Sequence, residues 1–172
     1  MSPAEFAEFV GKTLQNVLFP DGDASLEDMQ HLFQNPKAYR GRALWRYKAD
    51  LRFSEDGLHE GELARAQPDD PVRWTKYTVT VHPGLRDAGP DLVAILAHEL
   101  GHVILGLGFG ASKKAIEDAC DLFACSLLSL PPGTMGEIRD RRKSVLVGTD
   151  NSCDVEPRSN AALGANLDKV EA

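Results

Sequence analysis

The chain has 172 residues, 42% of them hydrophobic and 26% charged, which is material for one domain with a sizeable core and too little for two. Its 19 basic and 26 acidic side chains leave a formal net charge of −7, which argues against broad non-specific binding to nucleic acid or to an anionic membrane. The longest apolar stretches, 92–97 and 103–105, are far shorter than a membrane span, and the acidic start Met1-Ser-Pro-Ala-Glu lacks the regions of a signal peptide, so a soluble cytoplasmic domain is expected.

Ser2-Pro3-Ala4-Glu5 combines an N-cap residue, proline at the first helical position and glutamate three after the cap. Phe6, Phe9, Val10, Leu14 and Val17 then recur at helical spacing, which predicts a helix over 3–18. A second capping box, Ser25 to Asp28, opens a short helix that Asn35-Pro36 ends. The period then changes. Trp45, Tyr47, Ala49, Leu51 and Phe53 alternate with charged residues, as in a half-buried strand. Residues 54–73, rich in glycine, proline and acid, read as a long exposed loop, and Thr75 to Val81 as a second strand. Helices follow over about 90–105, 113–129 and, after a capping box Thr134 to Glu137, 134–143. The domain is expected over 1–144, with 145–172 a polar, loosely ordered tail. Grouped strands between helices give an α+β class, with a small antiparallel or mixed sheet against further helices.

One motif dominates: His98-Glu99-Leu100-Gly101-His102. On a helix, residues four apart lie one turn above each other, so two imidazoles face the same way and can chelate one divalent metal, with Glu99 beside the open position. A catalytic zinc site takes three protein ligands. A metzincin would place glycine at 105 and histidine at 108, but the chain has Leu105 and Gly108 there, and no histidine follows the motif. The downstream candidate is Glu117, which a glycine-rich turn at 106–110 would bring back alongside, with Asp118 and Asp121 as alternatives. Asp121, one turn from Glu117, could instead orient a ligand histidine through its second nitrogen. Cys120 and Cys125 read as small packed residues rather than ligands.

His-Glu-Leu-Gly-His followed by Glu117-x-x-x-Asp121-x-Phe123-Ala124-x-x-Leu127-Leu128-x-x-Pro131 resembles the ImmA/IrrE-type metallopeptidases over residues 90–131. The chain departs from that pattern in Asp121 where asparagine is usual, in a short connector after His102, and in one extra residue before Pro131. The resemblance implies a zincin-like domain holding one Zn2+ on His98, His102 and Glu117, with Glu99 as catalytic base. It also implies a protein or peptide substrate, such as a regulatory protein cut at one place. The strand Thr75 to Val81 is the expected receiver of an extended peptide at a sheet edge. Tyr77 and His82 lie on opposite faces of it, so at most one can reach the site to stabilise an oxyanion. A zinc-stabilised interaction module that cuts nothing is the alternative. The basic, aromatic stretch Lys37 to Arg52 suggests a nucleic-acid surface, but its alternation fits a strand with aromatics inward and charges in water.

Overall fold

The computed structural model describes residues 1–20, 24–34, 48–70, 72, 76–106 and 110–150. In chain order they form α1 (Pro3–Leu18), α2 (Leu26–Gln34), β1 (Lys48–Phe53), β2 (Ala64–Pro68), β3 (Lys76–Val81), α3 (Pro90–Leu105), α4 (Lys113–Leu127) and α5 (Thr134–Asp150). The class is α+β, with a three-stranded mixed sheet and five α-helices among the described residues.

The helices begin where local chemistry says they should. Ser2 accepts from the Glu5 N–H while Glu5 takes the Ser2 N–H at 2.7 Å, and Ser25 and Asp28 exchange the same pair of bonds. At the start of α5 the expected box does not form. The Thr134 hydroxyl donates back to the Pro131 carbonyl at 2.7 Å, and the Glu137 N–H bonds to Gly133. That helix also runs on to Asp150, past both the expected end at Lys143 and the expected start of a tail at 145. Residues beyond 150 lie outside the described residues, as do 45–47 and 75 of the expected strands.

The strand order is β1-β3-β2, with β1 parallel and β2 antiparallel to β3. Two expectations are corrected here. Residues 64–68, inside the expected loop, form a strand, because pairing with β3 completes a ladder that Ala-Arg-Ala-Gln-Pro has little propensity to form alone. The strand expected at the edge, β3, is instead the middle one, hydrogen-bonded on both sides, and so has no free edge for a peptide. β1 keeps the expected alternation, with Ala49 buried and Lys48, Asp50 and Arg52 exposed. Arg52 donates to Thr80 at 3.0 Å and Asp50 pairs with Lys76 at 2.9 Å.

Helix α3 is the axis of the core: every residue from Asp91 to Gly101 is buried. Its close approach to α4 depends on Gly101, where a Cβ would come within 3.1 Å of the Phe123 ring and 3.3 Å of Cys120. Gly106, at φ +58°, ends α3 in the left-handed conformation that glycine adopts without strain. On its other side α4 packs on α1, where a Cβ on Gly11 would sit 2.8 Å from the Phe123 carbonyl oxygen. Cys120 and Cys125 are buried free thiols, as their packing reading requires. Among the described residues no helix is long and apolar enough to cross a membrane.

Candidate metal centre

The His98-x-x-x-His102 spacing on α3 and the reversal into α4 bring three side chains together. His98 Nε2 lies 3.1 Å from His102 Nε2 and 3.3 Å from Glu117 Oε2, and His102 Nε2 lies 3.6 Å from Glu117 Oε1. One donor atom from each falls within 4.8 Å of the others, so His98, His102 and Glu117 could hold a metal ion. The spacing suits a divalent ion as well as the donor chemistry does. Ligands about 2.0–2.1 Å from a tetrahedral ion are roughly 3.3 Å apart, and the His98–His102 separation of 3.1 Å is close to that, with the nearer Glu117 oxygen to each histidine at 3.3 and 3.6 Å. Of the three acids weighed for the third position, Glu117 converges with the histidines. Asp118 points away and pairs with Lys114 at 2.6 Å on the exposed side of α4.

Asp121, one turn after Glu117, accepts from His98 Nδ1 at 2.7 Å, the contact that an orienting role for it needs. Arg139, from α5, grips the same carboxylate: Nη1 donates to Oδ2 at 3.0 Å and Nη2 to Oδ1. Sequence reading missed Arg139, since no spacing rule connects positions 121 and 139 across the turn between two helices.

The electrostatics favour one positive charge here. Burial opposes charge on His98, but hydrogen bonds to Asp121 and Glu117 outweigh it and push its pKa up to about 9. Burial and the neighbouring His98 push His102 down to about 4. The bond to His98 holds Glu117 below the usual carboxylate range. In Asp121, burial is outweighed by the bonds from His98 and Arg139, so its carboxyl is lowered too. Burial and hydrogen bonding thus push the two imidazoles in opposite directions at a point enclosed by carboxylates.

Glu99 is buried on the same helix, and burial pushes its pKa up to about 7. It lines, with the three candidate ligands, a cleft of about 570 Å³ whose opposite wall is residues 61–67. Strand β2, an edge strand among the described residues, thus runs along the cleft. The bonds His82 N–H to Leu63 and Asp69 N–H to Lys76 turn residues 63, 65, 67 and 69 toward β3. Alternation then turns the backbone of Ala64, Ala66 and Pro68 to the free edge. The Ala66 backbone favours ionised Glu99, a mark of how near that edge comes to it. Tyr77 is buried in the core, and His82 accepts from the Gly84 N–H at 3.1 Å and faces Glu55. Neither lines the cleft, so no oxyanion role falls to them. Most of the basic stretch Lys37 to Arg52 lies outside the described residues.

The chain matches no known family model, no curated protein and no solved structure.

Proposed function

We propose that this chain is a cytoplasmic zinc-dependent metallopeptidase of the HExxH type, similar to the ImmA/IrrE-type enzymes, hydrolysing a peptide bond in a protein substrate. One observation carries the reading: the donor group of His98, His102 and Glu117 opens, beside buried Glu99, into a cleft walled by a strand that lies at the sheet edge among the described residues.

The chemistry that zinc supplies in such a ligand set is Lewis acidity, which acidifies water and polarises a carbonyl. The chain's own residues do the rest. His98 and His102 present their Nε2 atoms, and Glu117 a carboxylate oxygen, to the ion. Glu99 takes a proton from water onto a carboxylate oxygen and later delivers it to the leaving amine nitrogen. The outer edge of β2, an edge strand among the described residues, offers the backbone of Ala64 and the carbonyls of Ala66 and Pro68 to an extended substrate, which pairs there by strand addition, while the Ala66 N–H faces Glu99. Proline at the end of that edge, lacking an N–H, limits how far such pairing extends.

The test uses the full chain loaded with zinc, wild type beside Glu99→Gln, against unfolded protein and mixed peptide substrates. Wild type is expected to cut. Glu99→Gln is expected to keep its zinc while cleaving about 10²–10⁴-fold more slowly, the usual worth of a positioned acid–base group. Equal cleavage by the two proteins, or none by zinc-loaded wild type, would sink the peptidase reading.

A further inference from the structure

We propose that Arg139 is a positioning residue of the metal centre, acting on His98 through Asp121. The inference rests on the metal-binding half of the function proposed above and not on the peptidase half. Asp121 is partly exposed, with 28% of its side chain open to solvent, so one bond to His98 leaves its carboxylate free to turn and to hydrate. Arg139 removes that freedom. Its guanidinium spans both carboxylate oxygens, and a planar two-point fork fixes the plane of the group as well as its position. The oxygen that Nη2 holds, Oδ1, is also the one that accepts from His98 Nδ1.

The consequence is a choice of tautomer. A carboxylate kept ionised by arginine can only accept, so the proton of the ligand imidazole belongs on Nδ1 and the lone pair on Nε2. Nε2 is the atom that faces His102 and Glu117. Arg139 Nη2 lies 3.4 Å from Nδ1 and, being a donor itself, adds nothing that could draw the proton away.

A purely structural role, stapling α5 to α4, accounts for less of the geometry. Helix α5 has its own anchors. Met135 and Ile138 are buried, Arg141 and Arg142 both bind Asp91, and the Leu146 side chain closes over Gly84. Arg139 lies among these, yet it reaches into the cleft wall and places its fork on the carboxylate that accepts from His98 Nδ1.

The experiment is a double-mutant cycle read as zinc affinity, by competition with a chromogenic chelator, on wild type, Arg139→Met, Asp121→Asn and the pair. Urea unfolding of the metal-free proteins separates binding from folding. Loss of a partner just outside the ligands costs about 10–100-fold in metal affinity. Arg139→Met is expected to weaken zinc about 10-fold alone and to add nothing in the Asp121→Asn background, since its partner's charge is already gone. Arg139→Lys is expected to recover part of the loss, as a point charge without the fork. Wild-type affinity in Arg139→Met, or an undiminished 10-fold loss in the Asp121→Asn background, would overturn the proposal. A wild-type chain that binds no zinc would remove the centre itself, which is a different result from a centre indifferent to Arg139.

Discussion

The seam between α3 and α4 and the docking of α5 are built on opposite principles. The seam is apolar and tight: Leu96, Leu100, Ala119, Cys120 and Phe123 are buried, and Gly101 lets the two helices approach. Helix α5 instead sits over that seam by two buried side chains and two charge clamps, at Asp91 and at Asp121. Packing tolerates little displacement, so it suits the helices that carry the candidate metal-ligating atoms. Charge pairs choose direction well but add modest stability when partly exposed, so they suit a helix laid on afterwards to orient and to line a cleft.

Breaking the seam should have the largest effect. Phe123→Ala removes a fully buried ring that touches Gly101, and a loss of about 3–5 kcal/mol is expected in urea unfolding, with zinc uptake falling as α4 loses its seat. Next comes a ligand. Glu117→Ala should leave the fold intact while lowering zinc affinity by more than the roughly 10–100-fold owed to an outer partner, read as metal content by mass spectrometry. Retention of one zinc per chain by that variant would move the third ligand elsewhere.

The α5 clamp gives a smaller, pH-dependent effect. Burial opposes the ionised form of Asp91, but hydrogen bonds from Arg141 and Arg142 outweigh it and hold its carboxyl below the ordinary range. A carboxylate lowered on folding contributes stability above its unfolded pKa of about 3.9 and loses it as pH falls through the folded value. Asp91→Asn is therefore expected to cost about 1–2 kcal/mol at pH 7, and the gap from wild type to close below about pH 4. Unfolding curves at several pH values would show this, and a gap that persists in acid would assign the effect to the helix start rather than to the clamp. Smallest of all, Asp118→Asn breaks a solvent-screened pair with Lys114, and should change stability by less than about 0.5 kcal/mol and zinc content not at all.

The helices were legible in the chain because their signals are local. A capping box at Ser2, proline at position 90 and Gly106 at a left-handed end mark boundaries that the structure keeps. The candidate ligands were legible for the same reason: i, i+4 spacing on one helix places two imidazoles together before any tertiary contact exists. Glu117 was legible as the favoured of three acids, with Asp118 and Asp121 left open, because which face of α4 meets α3 depends on where Phe123 and Cys120 pack. Strand β2 was not legible, since Ala64 to Pro68 alternates only weakly apolar residues with polar ones, has no β-branched or aromatic residue and ends in proline, and owes its form to pairing with β3.

By itself, then, the sequence determined the periodic elements, the α+β class and the pair of histidines with Glu99 between them, all of which follow from contacts within a few residues. Tertiary structure alone decided the rest: β3 in the middle of the described strands and β2 beside the cleft, the packing of α4 that brings the favoured Glu117 and not Asp118 to the two histidines, and Arg139 on Asp121. Those are pairings between positions distant in the chain, chosen by which packing buries the most apolar surface while leaving no buried charge without a partner.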